Sequence, residues 1–190
     1  MKKSQLRCYL VAGPQDYPGL TLVEFTEKII VLMQAGITAY QFRDKGFHYQ
    51  SATERLEVVQ ILQKAAKKWQ ILFIINDDIE LAQLIHADGL HVGQSDQVQA
   101  ALALPQTTSM LIGLSVSNAT ELQAAQKSGA DYLGIGPIFA TQSKVDAAPA
   151  IGLTKLKTLL MENKLPIVAI GGLPSKLYQH WPNLLWMAWQ

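Results

Sequence analysis

Short apolar runs alternate with longer amphipathic stretches along the chain. The runs are Cys8–Ala12, Ala39–Phe42, Ile71–Ile75, Gly89–Val92, Met110–Leu114, Tyr132–Ile135 and Ile167–Ile170. Runs so nearly free of polar residues suit strands buried on both faces, as in a parallel sheet. Between them the period changes. Phe25, Ile29, Leu32 and Met33 recur at i, i+4, i+7 and i+8, one stripe of a helix. Thr21-x-x-Glu24, Ser51-x-x-Glu54 and Asn118-x-x-Glu121 place a capping side chain three residues before a carboxylate, the signature of a helix start. Ala35-Gly36 and Ser128-Gly129 put glycines where helices should stop. The pattern predicts seven strands with six intervening segments, most of them helical, in one domain over 1–190. Repeated βα units form either an open doubly wound sheet or a closed (βα)8 barrel. A barrel takes about 250 residues, with about 200 as a working minimum. At 190 residues the chain is short by about its last unit.

Composition narrows the class. With 49% hydrophobic and 16% charged residues there is enough apolar surface for a real core, which excludes a disordered chain. A net charge of +1 argues against an electrostatic nucleic-acid binder. Cys8 is the one cysteine, which excludes a disulfide framework and suits a reducing cytoplasm. The apolar runs are too short to span a membrane, and Met-Lys-Lys is followed by no signal-like segment, so a cytoplasmic location is expected. A homo-oligomer is compatible with all of this. Three of the four tryptophans, Trp181, Trp186 and Trp189, crowd into the last ten residues.

In either architecture ligands sit at the carboxyl ends of strands. The second run ends Gln41-Phe42-Arg43-Asp44-Lys45. Gln41, Arg43 and Lys45 alternate and project to one side of extended backbone, which suits a polyanion such as diphosphate; a solvated loop with ordinary ion pairs reads the same way. The third run delivers Asn76-Asp77-Asp78 and the fourth Gly93-Gln94-Ser95-Asp96. Asp77 and Asp96 at neighbouring strand ends can hold Mg²⁺ against phosphate oxygens, or can cap the helices that follow. Asp78 is the better capping candidate. Ser115 ends the fifth run. After Gly134-x-Gly136-Pro137, the loop Thr141-Gln142-Ser143-Lys144 offers hydroxyls and an ammonium for a second anion site. Gly171-Gly172 ends the seventh run, where phosphate is commonly held in barrels. His48, His86, His91 and His180 show no metal-ligand spacing; His91 reads as a hydrogen-bonded core residue and Cys8 as packing.

Taken in order, these segments resemble the thiamine-phosphate synthase family. The matching pieces are Gln41 to Lys45, Ile75-Asn76-Asp77, Ala87 to Asp96, Gly129 to Pro137, Thr141 to Lys144 and Val168 to Gly172. The resemblance implies a (βα)8 TIM-type barrel that joins a hydroxymethylpyrimidine diphosphate to a thiazole phosphate, releasing pyrophosphate. It implies that Gln41, Arg43, Lys45 and Asn76 bind the pyrimidine diphosphate, with Phe42 and Asp44 also among the substrate-binding residues, and that Asp77 and Asp96 ligate Mg²⁺. Ser115 and Lys144 would contact the pyrimidine side. Thr141, Ser143 and the Gly171-Gly172 turn would take the thiazole phosphate, with Gln142 also substrate-binding. Arg43, Lys45, Ser115 and Lys144 are then the expected catalytic residues. Many members carry a His where this chain has Ser117. The related thiazole tautomerases tend to lose the diphosphate and metal residues that are retained here.

The resemblance stops after Gly172. Pro182 blocks a continuous helix, and the tryptophan-rich tail 173–190 matches no buried parallel strand of the family. Under the standard code Trp186–Gln190 is TGG-ATG-GCN-TGG-CAR; read from the third base of Trp186 it spells Asp-Gly-(Val, Leu or Met)-Ala, the family's eighth-strand motif. A frameshift between Gly172 and Trp186 is therefore expected, and the gene sequence tests it. The expected consequence is an incomplete barrel of seven strands, unpaired between the first and seventh, and unstable or only weakly active. The alternatives are a non-catalytic barrel that binds phosphate ligands and a tautomerase-like enzyme.

Overall fold

A computed structural model describes residues 3–46, 49–93, 97–103, 109–141, 148–173 and 186–189. The strands are β1 (Cys8–Ala12), β2 (Ala39–Phe42), β3 (Leu72–Asn76), β4 (Gly89–Val92), β5 (Leu111–Val116), β6 (Tyr132–Ile135), β7 (Ile167–Ala169) and β8 (Trp186–Trp189). The helices are α1 (Leu22–Gln34), α2 (Ala52–Lys68), α3 (Ile79–Leu84), α4 (Gln97–Leu102), α5 (Ala119–Lys127) and α6 (Gly152–Glu162). Each of the seven predicted runs coincides with a strand to within two residues at either end. The helix starts are where the caps put them. Thr21, Ser51 and Asn118 each accept a hydrogen bond from the backbone N–H of the glutamate three residues on. Gly36 and Gly129 follow their helices with φ of 101° and 91°.

All strand pairs are parallel and run in sequence order into a closed barrel. The barrel is of the expected type, and its closure corrects the expectation of about seven strands left unpaired between the first and the seventh. β8 pairs with β1 through Cys8↔Met187, Tyr9↔Ala188 and Leu10↔Trp189, and with β7 through Val168↔Trp186 and Ala169↔Met187. Ladder bonds are made by backbone, so a segment without the family's eighth-strand residues can still close the ring. The strand occupies the residues at which the shifted frame spells the family motif.

Two cores follow from the alternation of side chains. Outward-facing residues such as Leu10, Phe42, Phe73, Ile75, Leu114 and Leu133 pack with helix residues including Phe25, Ile29, Val59 and Leu156. Inward-facing Tyr9, Val11, Ala39, Ile74, Tyr132 and Val168 fill the barrel with Leu6, from the short 3₁₀ turn Lys3–Leu6 ahead of β1. Gly89, Gly113 and Gly134 face the same interior on three consecutive strands. A Cβ at Gly113 would run into the Tyr132 ring and reach within 2.5 Å of His91 Nδ1. A Cβ at Gly134 would lie 3.0 Å from the His91 ring. The small residues thus make room for two large polar rings.

Candidate active site

The carboxyl ends of β2 and β3 build an ion-paired rim. Lys45 Nζ donates to Asp77 Oδ2 at 2.6 Å, and Asn76 Nδ2 donates to the same oxygen at 2.6 Å. The backbone N–H of Gly93, at the end of β4, reaches Asp77 Oδ1 at 3.3 Å. Asp77 itself sits at φ 60°, a left-handed conformation that aspartate tolerates better than most residues. That turn takes the chain out of β3 and leaves the carboxylate above the strand end. Burial pushes the Asp77 pKa up. The hydrogen bond and charge of Lys45, with the donations from Gly93 and Asn76, outweigh it and hold the carboxyl below its ordinary range.

Arg43 is 8% exposed, whereas Lys45 is exposed. Asp44 accepts from Arg55 Nε at 2.7 Å, and the same guanidinium reaches Asp78 Oδ2 at 2.8 Å. Asp78 caps α3 through Leu81 N at 2.9 Å, as expected. Together Asp44, Lys45, Arg55, Asn76, Asp77 and Asp78 line a cleft of about 420 Å³, within the usual range for a small-ligand site. Phe42 lies elsewhere. It is 1% exposed and packs outward against the helices.

Two residues that no motif pointed to hold this rim. Gln15, in the 3₁₀ turn after β1, donates through Nε2 to the Arg43 carbonyl at 2.6 Å and accepts through Oε1 from Lys45 N at 3.2 Å. It buckles the β2 loop at both cations. Arg55, inside α2, neutralises two carboxylates of the cleft wall. Neither shows in a strand-end pattern, because one comes from the neighbouring loop and the other from a helix.

Inside the barrel a second group of polar residues is linked. Gln41 Nε2 donates to Tyr9 Oη at 2.8 Å, and Tyr9 Oη lies 2.9 Å from Tyr132 Oη. Tyr132 Oη is 3.1 Å from His91 Nδ1, and His91 Nε2 is 3.1 Å from Ser115 Oγ. His91 is therefore a buried, hydrogen-bonded residue, as its place within a strand implies. Burial raises the phenol pKa of both tyrosines far above the ordinary value, so both stay protonated hydroxyls.

The loops after β6 and β7 are stitched together by Ile138 N donating to Ile170 O at 2.9 Å and Phe139 N to Gly171 O at 3.0 Å. Gly171 and Gly172 have φ of 91° and 61°. A Cβ at Gly171 would strike Pro137, and one at Gly172 the carbonyls of Phe139 and Ala140. Both positions therefore need glycine for conformation and for space. Thr141, next after Ala140, is brought to the edge of that turn. Asp96, Gln142, Ser143 and Lys144 lie outside the described residues.

Hard oxygen donors at Asp77, kept ionised by its surroundings, suit a hard divalent cation. Among the described residues, no three His, Cys, Asp or Glu converge as a metal cluster. Nor is any described helix long and apolar enough to cross a membrane.

The family model for thiamine monophosphate synthase matches residues 8–179. The chain belongs to the thiamine monophosphate synthase family. It is 52% identical to the thiamine-phosphate synthase of Lactococcus lactis subsp. lactis (strain IL1403) over 168 residues, covering 88% of this chain and 78% of the relative. It is 43% identical to the same-named enzyme of Lactiplantibacillus plantarum (strain WCFS1) over 171 residues, 90% of this chain and 77% of the relative. Among solved structures, the thiamine phosphate pyrophosphorylase from Pyrococcus furiosus superposes with a TM-score of 0.81 at 27% identity, covering 98% of this chain and 85% of that one. A 2-keto-3-deoxy-6-phosphogluconate aldolase from Zymomonas mobilis ATCC 29191 superposes at TM-score 0.61 and 13% identity, a likeness of fold alone.

Proposed function

We propose that the chain condenses 4-amino-2-methyl-5-hydroxymethylpyrimidine diphosphate with thiazole phosphate, giving thiamine phosphate and pyrophosphate. The observation that carries this beyond family membership is the rim. Lys45 and Asn76, at two adjacent strand ends, both donate to an ionised Asp77, with the buried Arg43 two residues before Lys45 on the same strand end, a set that suits a diphosphate with a divalent counter-ion. In the reaction the C–O bond to the diphosphate breaks, and its electron pair leaves with the pyrophosphate. The electron-rich aminopyrimidine carries the positive charge left on the methylene carbon. The thiazole nitrogen then donates its pair to that carbon and forms the C–N bond.

No neutral-pKa general base is needed, so catalysis is positioning and electrostatics. Arg43, Lys45 and Asn76 hold the diphosphate and stabilise its growing charge. Ser115 and Gln41 face the pyrimidine from opposite sides of the barrel interior. The turn at Gly171-Gly172 takes the thiazole phosphate with Thr141 and Ser143, Gln142 also binds substrate, and Lys144 joins Ser115 on the pyrimidine side. Asp77 and Asp96 would hold Mg²⁺, which supplies charge neutralisation at the departing pyrophosphate. The substrates are small molecules, and a cytoplasmic setting suits them.

The test is to incubate both substrates with Mg²⁺ and follow thiamine phosphate. Product that is lost in Asp77→Ala supports the proposal. Tautomerase activity indifferent to that substitution, or phosphate-ligand binding without product, would overturn it.

A further inference from the structure

The cations that line the cleft are already paired within the chain. Four carboxylates, Asp44, Asp77, Asp78 and Glu80, stand against two cations, Lys45 and Arg55. A diphosphate therefore meets an excess of negative charge among the lining side chains, and both lining cations are held by carboxylates. Arg55 is divided between Asp78 and Asp44, whose side chain is 7% exposed, so freeing it would leave a buried carboxylate bare. Lys45 is placed differently. Among the described residues its Nζ pairs with Asp77 alone, its side chain is 43% exposed, and Asp77 keeps other donors in Asn76 and Gly93. Lys45 is thus the cation that can leave its partner. Asp77, in turn, has little room for a second one. Oδ2 accepts from both Lys45 and Asn76, which uses its two lone pairs, and Oδ1 accepts the longer bond from Gly93. A divalent cation at either oxygen would share the carboxylate with an ammonium, and like charges a few ångströms apart repel.

We propose that Lys45 is the built-in counter-ion of Asp77, holding the place of a divalent cation until a diphosphate arrives, so that the two ligands bind well only together. In the unliganded site Lys45 neutralises Asp77 and opposes a cation there. With the diphosphate present, Lys45 turns its Nζ to a phosphate oxygen and leaves Asp77 to the cation. Lys45 and Asp77 thus keep an opposite partner throughout, and no covalent bond changes. Gln15 fits this exchange: its Oε1 accepts from the Lys45 backbone N–H at 3.2 Å, so the backbone is held while the side chain swings. The proposal rests on the reading of the rim as a diphosphate and cation site given above, and adds to it the dependence of each ligand on the other.

The test uses Lys45→Met and Lys45→Gln, two neutral variants of an exposed side chain, and Lys45→Arg, which keeps the charge. Melting temperatures confirm that each full chain is folded. Dissociation constants are then measured for three probes: Mn²⁺ alone, as a hard cation in place of Mg²⁺, by loss of its free EPR signal; pyrophosphate alone, in chelator; and the equimolar Mn²⁺–pyrophosphate complex. The wild type is expected to bind the complex at least about tenfold tighter than either component, a coupling of ordinary size. Both neutral variants are expected to bind Mn²⁺ alone about fivefold tighter, the scale of one half-exposed charge pair. They are expected to bind the complex at least about tenfold more weakly, the scale of one lost charge-assisted contact. Lys45→Arg is expected to bind Mn²⁺ alone no tighter than the wild type does. The opposed shifts are the deciding readout, because a lysine that merely supports its loop would weaken both. Mn²⁺ affinity that is unchanged or lower in the neutral variants overturns the proposal, as does a wild type that binds Mn²⁺ alone as tightly as the complex. None of these readings needs turnover. A chain that makes no thiamine phosphate yet shows the opposed shifts defeats the function and not the exchange. A chain that makes it, with neutral variants that bind Mn²⁺ no tighter, defeats the exchange alone.

Discussion

Asp77 is the residue on which the rim turns, and its protonation is the most direct test of its surroundings. Burial alone would raise its pKa; Lys45, Gly93 and Asn76 lower it further than burial raises it. A depressed native pKa contributes stability that is present above the unfolded value, about 3.9 for aspartate, and is lost as pH falls through the native one. A carboxyl ¹³C titration should place the Asp77 midpoint below that value. In Lys45→Met the midpoint should rise, because burial is then opposed only by the weaker donors. A midpoint unmoved by the loss of Lys45 would mean that the 2.6 Å ion pair does not hold in solution. Gln15 acts on the same rim indirectly. Its amide fixes the Arg43 carbonyl and the Lys45 N–H without facing the cleft, so Gln15→Ala should raise the KM for the diphosphate substrate and leave kcat nearly unchanged. Losing hydrogen bonds of this kind costs about 1 kcal/mol each, or roughly a fivefold change in KM. A fall in kcat at constant KM would instead place Gln15 in the chemistry.

At the scale of the element, what could be read from sequence divides by the kind of force involved. Strands β1 to β7 were legible because burial on both faces leaves an unbroken apolar run, and the helix starts because caps use few residue types at fixed spacing. β8 was not legible: its tryptophans resemble neither a β-branched run nor a family motif, and its pairing is made by backbone. At the site, strand-end position picked out Lys45, Asn76 and Asp77. It said nothing of Tyr9 and Tyr132, which look like core aromatics until their hydroxyls are seen to meet. Besides Gln41, His91 and Ser115 themselves, the sequence trace of that network is a set of glycines inside strands, where glycine is usually a weakness. Gly113→Ala tests that trace. The added methyl must displace the Tyr132 ring or the His91 ring, so the variant should lose about 1–3 kcal/mol of stability, as overpacked sites do. It should also disturb the His91 ¹⁵N signals. By contrast Gly129→Ala meets no atom within 4 Å and is strained only by its φ of 91°. It should cost stability without touching those signals, which separates backbone strain from crowding in the barrel.

For the whole molecule the decisive feature is closure. Of the eight parallel strands, β8 is the one that converts an open sheet into a ring, by serving β1 on one side and β7 on the other. A strand in that position has backbone groups committed in both directions, so a residue without an N–H cannot be accommodated as it would be at an edge. Ala188, opposite Tyr9, is therefore a sensitive place for proline. Ala188→Pro removes one ladder donor and leaves its acceptor unpaired, at a cost of about 1–3 kcal/mol. For a domain of this size each kcal/mol corresponds to a melting shift of roughly 2–4 °C. Because Tyr9 lies on the paired β1 strand and its hydroxyl joins Gln41 to Tyr132, opening this seam should also reach the site. The expected result is a lower melting temperature together with weaker binding of the pyrimidine substrate. If Ala188→Pro melts and binds as the parent does, then β8 does not close the barrel in solution. The interior network would then be held by β1 to β7 alone.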